Sequence, residues 1–426
     1  MSSVLCRGTA GCTVGGWWRD SGSADRHTPH RVPEKLGSTP ESVTTSTEGL
    51  DRMRRVSGLF AGIAAVALVA ASGGGAAHAQ PGNVGDAGIV VASNAADAFL
   101  HVEGASDNLT FTYRTAGADG LSTGQVLVPE GVAPEGGWPI VAWAHGTVGM
   151  ADQDAPTRSG VVYPLYRSLF EDWLRRGLMV VATDYAGLGT PGPHPYLNAD
   201  IVANNIVDSV RAARELFPSA SRRWAVAGQS QGGHAALATT VRAEVLAPDL
   251  DFRGTFASGA PTNLDRLVGL AGPDFPDVKL DGVTLYLTYI AAGLRQARPD
   301  LDVDSYLTPR GRELVDAADG TPLAQFKPRA NQTPVGDLFS RPLAGTPLPQ
   351  AVTEYLGVPT TGFDKPLMMV QGTQDRVVPP PLALWFAAEL ALSGEQLTLR
   401  LPGAGHVDGL AQSAPEVGDF LDRILH

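Results

Sequence analysis

The chain has 426 residues, 43% of them hydrophobic and 18% charged, so a large core can form and global disorder is excluded. Fifty glycines and 32 prolines argue against a helical bundle. A formal net charge of -12 leaves no basic footprint for nucleic acid and disfavours attraction to anionic lipid surfaces.

Residues 1–52 are polar and precede Met53-Arg54-Arg55, an apolar run from Leu59 to Ala71, and Ala77-His78-Ala79. A basic start, a short apolar stretch and an A-x-A site are the parts of a secretory signal peptide, predicted here over residues 53–79. Met53 is then the expected initiator, and residues 1–52 a non-native or disordered extension. The apolar run is too short to span a bilayer. Both cysteines, Cys6 and Cys12, lie before it, so a chain cleaved after Ala79 has none left for zinc, disulfides or a lipid anchor. A secreted protein without stable membrane insertion is expected.

Beyond Gln80 the pattern predicts strands at 108–114, 125–128 and 139–144, a helix at 163–176 and a strand at 178–183. A helical face recurs at Ile201, Val202, Ile206, Val207, Val210 and Ala213, and Pro218 stops it. A strand at 224–227, a helix at 231–246 and strands at 252–258 and 366–370 follow. A helix near 381–392, a strand at 397–401 and a helix at 415–425 close the chain. Such alternation predicts an α/β fold with a mostly parallel sheet flanked by helices, its core split between residues 80–261 and 351–426. Residues 262–350 break the rhythm and read as an inserted cap or lid. Val283, Leu285, Leu287, Ile290 and Leu294 mark a helix there, either packed on the sheet or facing a pocket, and a Pro/Gly/Thr-rich stretch follows from Pro322 to Pro349.

Two segments match G-x-S-x-G, around Ser122 and around Ser230. Gly120 to Gly124 reads as a turn with no helix after it. Gly228-Gln229-Ser230-Gln231-Gly232 follows the apolar Trp-Ala-Val-Ala and opens a helix, the strand–turn–helix context of a nucleophile elbow. Ser230 is therefore the expected nucleophile. A serine hydroxyl needs a base, and the histidines after the signal segment are His101, His145, His194, His234, His406 and His426. In the order Ser…Asp/Glu…His, only His406 and His426 come late enough, and a chain terminus frays. His406, in the loop Pro402-Gly-Ala-Gly-His, is the expected base. Asp375 follows a buried strand and is the expected orienting acid. Asp364 lies at that strand's other end, and Asp408 is too close to His406. Backbone N–H groups of Gln231 and Thr147 are the expected oxyanion hole. His145 either orders the Thr147 loop or simply packs, and His234 reads as structural.

Ala-Trp-Ala-His-Gly-Thr, Ala-Thr-Asp184-Tyr-Ala-Gly-Leu-Gly and Gly-Gln-Ser-Gln-Gly-Gly together resemble the secretory lipase family of the α/β-hydrolase superfamily. The resemblance implies hydrolysis of triacylglycerols or simpler esters, a cap inserted before the catalytic acid, and the triad Ser230, Asp375 and His406. Asp184 fits the family's D-Y-x-G-x-G stretch and is expected to have only a structural role, shaping the loop beside the pocket. Fungal members of that family are disulfide-bonded, which this chain after Ala79 cannot be. An ester or lipid substrate is expected, and no residue spacing suggests a cofactor or metal. The alternative is a serine exopeptidase on the same fold. It would need a carboxylate pair to hold a substrate amino terminus, and the inserted segment carries Asp300, Asp302 and Asp304.

Overall fold

The computed structural model describes residues 86–426, apart from 118, 161–163, 277 and 279. The expected extension at 1–52 and signal peptide at 53–79 lie outside the described residues. Strand β4 (Trp138–Ala144) is buried at every position, as an unbroken apolar run between two helical layers must be. Its side chains alternate between two cores. Ile140, Ala142 and Ala144 join one, Val141 and Trp143 the other.

Around β4 runs a nine-stranded sheet of β1 (Val90–Ala95), β2 (Ala105–Arg114), β3 (Leu121–Pro129), β5 (Met179–Thr183), β6 (Ala220–Gln229), β7 (Asp251–Ser258), β8 (Leu367–Val370) and β9 (Leu397–Arg400). The order is β1-β2-β3-β5-β4-β6-β7-β8-β9. From β5 to β9 the pairings are parallel, and β1 to β3 add an antiparallel wing. Strand β1 has no counterpart in the predicted elements. Its residues Val-Val-Ala-Ser-Asn-Ala are exposed or half-buried at the sheet edge, so they carry no burial period.

Helix α1 (Pro164–Arg175) places Tyr166, Leu169, Phe170, Trp173 and Leu174 on one buried face, at the i, i+3, i+4, i+7 spacing of an amphipathic helix. Burying each such large side chain contributes about 1.5–3 kcal/mol. This face shares its core with Leu410, Val417, Phe420 and Leu421 of α9 (Asp408–Leu425). On the opposite face lie α2 (Ala199–Leu216) and α3 (Gln231–Thr240), with α8 (Pro380–Leu392) beside α3 over β7 and β8. The helix expected over 231–246 breaks at Val241, and a separate short turn covers Ala243–Leu246.

The first G-x-S-x-G segment forms the expected turn only at Gly120. Leu121 to Gly124 are the opening residues of β3, paired with β2, and Ser122 is fully buried. Its hydroxyl lies 3.3 Å from Thr183 Oγ1. Gly120 keeps its place in the turn before the strand, at φ 64°, but antiparallel pairing in the wing, invisible to local pattern, draws Ser122 and Gly124 into the sheet.

Between β7 and β8 come helices α4 (Val283–Ala297), α5 (Pro309–Ala317), α6 (Leu323–Asn331) and α7 (Leu348–Leu356). They enclose a hydrophobic cluster, including Leu285, Tyr289, Ile290, Leu294, Leu314, Phe326 and Tyr355, that Met150, Tyr196 and Leu197 join from the loops after β4 and β5. Leu285, Ile290 and Leu294 thus pack among these helices and not on the sheet, while Val283 and Leu287 are only half-buried. The stretch from Pro322 to Pro349 is less irregular than its composition suggests, because it contains α6.

Candidate active site

The carboxyl ends of the central strands lie level. Ala144 of β4 pairs with Gly228 of β6, Gln229 with Ser258 of β7, and Ser258 with Val370 of β8. The loops that follow these strands carry Thr147, Ser230, Gly259 and Asp375, and the loop after β9 carries His406. One edge of the sheet gathers them all.

Ser230 joins β6 directly to α3 with φ 58° and ψ -119°. A non-glycine residue is strained there, at a cost of about 1–3 kcal/mol. The strain is held by two backbone bonds. Ser230 N donates to Ser258 O at 2.8 Å, and His234 N donates to Ser230 O at 3.1 Å. Gly232 allows the tight passage, since a Cβ there would lie 1.8 Å from Ala144 O. The start of α3 therefore touches the end of β4 and brings Gln231 toward the loop of Thr147.

Asp375 is buried and its carboxylate is saturated with donors. Oδ1 accepts from Val377 N at 2.8 Å and Val378 N at 2.9 Å. Oδ2 accepts from Gln371 Nε2 at 3.1 Å and faces His406 Nδ1 at 2.6 Å. The two loops run side by side, with Gln371 N, Thr373 N and Gln374 N donating to Arg400, Pro402 and Ala404 carbonyls. A carboxylate on Nδ1 fixes the proton there and leaves Nε2 as the basic nitrogen. Nε2 is buried and has no hydrogen-bond partner among the described residues. Gly259, at φ 55°, lies against the ring, where a Cβ would come within 2.8 Å of Cε1. Gly259 follows Ser258, whose carbonyl holds Ser230, so imidazole and elbow are neighbours. Such a ring can take a proton from a hydroxyl and return it to a leaving group.

The other candidates fall outside this arrangement. Asp364 is exposed ahead of β8, and Asp408 is exposed at the start of α9. His426 Nε2 lies 3.2 Å from Arg176 O, and His101 is exposed. His234 is buried with Nε2 2.6 Å from Leu356 O, tying α3 to the end of α7. His145 is buried with Nδ1 2.7 Å from Gly146 O and Nε2 3.2 Å from Asp184 O, so it does fasten the loop that leads to Thr147. Burial pushes its pKa down. Asp184 accepts from Thr123 Oγ1 at 2.6 Å and from Thr157 N at 3.1 Å, and also contacts the Thr157 hydroxyl. It straps the loop after β5 to β3. Asp300 is paired with Arg298 and Asp304 with Arg295.

Gln371 escapes sequence reasoning, although it sits four residues before Asp375. A glutamine at a strand end has no chemistry until the loop folds back over it. His194, which comes before Ser230 and so too early in the chain to be the base, contacts Gln231, with Nε2 2.9 Å from the side-chain amide nitrogen. No local signal marks that contact.

A cavity of about 660 Å³ lies between the loop after β4 and α6, lined by Val148, Asp154, Leu323, Lys327, Pro328 and Asn331 among others. Ser230 and His406 are not in its lining, but Val148 adjoins Thr147. No helix among the described residues is long and apolar enough to cross a membrane.

Residues 161–321, which include Ser230, match the family model described as secretory lipase. No curated protein matches the chain in sequence. Among solved structures, the rice cell wall degrading esterase LipA from Xanthomonas oryzae is 20% identical, with a TM-score of 0.63 over 79% of this chain and 98% of that one. Candida antarctica lipase A is likewise 20% identical, with a TM-score of 0.61 over 79% of this chain and 84% of that one. A putative hydrolase from Legionella pneumophila is similar too, at 20% identity and a TM-score of 0.63 over 79% and 96%. These likenesses establish the fold. The chain has the α/β-hydrolase fold, and together with the match of its residues 161–321 to secretory lipase this supports a carboxylic ester hydrolase.

Proposed function

We propose that the chain is a secreted serine esterase or lipase that works through an acyl-enzyme on Ser230. His406 Nε2 takes the Ser230 proton as Oγ attacks the ester carbonyl, and Asp375 stabilises the imidazolium. Gln231 and Thr147 N–H groups receive the developing oxyanion, favoured further by the N-terminus of α3. His406 then protonates the leaving alcohol, and a water activated by the same ring releases the acid.

The observation that carries this reading is the 2.6 Å His406–Asp375 pair beside a strained serine, with Nε2 otherwise unpartnered. Incubation with a fluorophosphonate should modify Ser230 and abolish turnover of p-nitrophenyl butyrate. Full turnover after stoichiometric modification elsewhere would refute it.

The helices over 262–350 serve in this reading as a cap over the site. The cavity beside Val148 lies within the size range of small-molecule pockets and is partly apolar, which supports short to medium acyl chains as substrate. Export rests on the signal-peptide pattern over 53–79 and on the family's secretory description. Secreted protein whose first residue precedes Met53 would contradict that start.

A further inference from the structure

Behind Thr147 and Gln231 lies one short segment, His194-Pro195-Tyr196, between β5 and α2. His194 Nδ1 is 3.0 Å from Ala186 O, which can only accept, so the proton sits on Nδ1 and Nε2 is an acceptor. The Gln231 amide 2.9 Å away must then donate its N–H to Nε2. Burial pushes His194 down to about 4, which keeps the ring neutral and able to accept near neutral pH. Two residues on, the Tyr196 hydroxyl lies 2.6 Å from Thr147 Oγ1. Burial raises the Tyr196 phenol well above its usual range, so it stays protonated.

We propose that His194 and Tyr196 are positioning residues that jointly set the oxyanion hole. His194 holds the first turn of α3 through the Gln231 side chain, and Tyr196 holds the loop after β4 through the Thr147 side chain. This rests on the reading of Thr147 and Gln231 as oxyanion donors. Backbone N–H donors work because they are aimed before the reaction begins, and these two belong to different elements. A single segment gripping both side chains, with only Pro195 between its two grips, sets the spacing of the donors.

The segment is itself held. Tyr185 stacks on the His194 ring at 5.9 Å and 19°, and its hydroxyl donates to His145 O at 3.1 Å. Tyr196 meets Tyr289 of α4 edge-on at 5.4 Å. Leu197 is buried at φ 61°, and Asn198 caps α2 by accepting from Ile201 N at 3.0 Å.

Tyr196→Phe and Gln231→Leu each remove one grip and leave both backbone donors in place. Measured on the full enzyme with p-nitrophenyl butyrate, each should lower kcat about tenfold with KM within about threefold. Affinity for an alkyl boronic acid, which mimics the tetrahedral intermediate, should fall by a similar factor. Thr147→Ser should restore what Thr147→Val loses, and Thr147→Val combined with Tyr196→Phe should be no worse than either alone. Turnover and boronate affinity within about twofold of the parent in either Tyr196→Phe or Gln231→Leu would overturn the joint clamp, whatever the melting temperature does. Substantial turnover by Ser230→Ala would instead overturn the underlying assignment of the nucleophile.

Discussion

At Ser230 the backbone strain and the hydroxyl can be separated by substitution. Ser230→Ala keeps a Cβ at φ 58° and removes only Oγ, so the fold should persist while turnover falls by about 10⁴–10⁶. Ser230→Gly should be equally inactive yet melt higher, because glycine tolerates that region and the strain of about 1 kcal/mol is relieved. An unchanged or lower melting temperature for the glycine variant would show that the elbow is not strained. At Asp375, substitution by asparagine keeps an acceptor for Val377 and Val378 N–H but turns an amide toward His406 Nδ1. The imidazole is driven to the wrong tautomer, and turnover should drop by about 10³–10⁴. Asp364→Asn should keep most activity, since that side chain is exposed before β8. Steady-state kinetics on the two variants decides between the acids.

Elements meet most tightly where β6 turns into α3. Gly232→Ala would push a methyl to 1.8 Å from Ala144 O, which is backbone and cannot swing aside. Either α3 lifts from β4, moving Gln231, or the strand end distorts. Loss of both activity and several degrees of melting temperature is expected, and a variant with parental kinetics would contradict the close approach. In the wing, Ser122 belongs to β3 with its hydroxyl bonded inside the sheet. Ser122→Ala should cost about 1 kcal/mol of stability and leave turnover intact. A collapse of turnover with Ser230 still present would point the chemistry at the wrong G-x-S-x-G.

Across the whole molecule, buried histidines make stability depend on pH. Burial lowers His194 and His234 to about 4. Between about 6.5 and 4 the unfolded chain binds protons that the folded chain refuses, so stability falls as pH falls through that window. Asp208 acts oppositely. Burial raises it to about 6, so the folded chain binds a proton first and gains stability as pH falls below that value. His234→Gln removes one histidine contribution at a site linking α3 to α7. Its loss of stability from pH 7 to pH 4.5 should be smaller than the parent's by about 2 kcal/mol, read from urea unfolding at the two pH values. Substrate choice is a property of the same scale, because the helices between β7 and β8 bury Leu285, Ile290 and Leu294 in a cluster shared with Met150, Tyr196 and Leu197. A cavity partly lined by Leu323 and Pro328 gains about 0.8 kcal/mol per acyl methylene it covers, so kcat/KM should climb from acetate to butyrate or octanoate esters. A series flat or falling from acetate onward would mean that no acyl pocket exists there.

The sequence by itself determined the alternation of strands and helices, because burial on both faces leaves apolar runs such as Pro139 to Ala144 and burial on one leaves the 3.6-residue stripe of α1. It also determined the glycines around Ser230 and the chain order of Ser230, Asp375 and His406, since each is a residue type at a strand end. Three features were decided only by the tertiary structure. Edge strand β1 formed although its exposed residues show no period. Ser122 entered the sheet because β3 pairs with β2 from Leu121 onward, Ser122 opposite Tyr113. Gln371, His194 and Tyr196 gained partners through loops that the order β5-β4-β6-β7-β8-β9 stacks along one edge. Local pattern records how deeply a residue is buried, and strand order records which distant residue it meets. Periodicity carries the first, and only the assembled sheet carries the second.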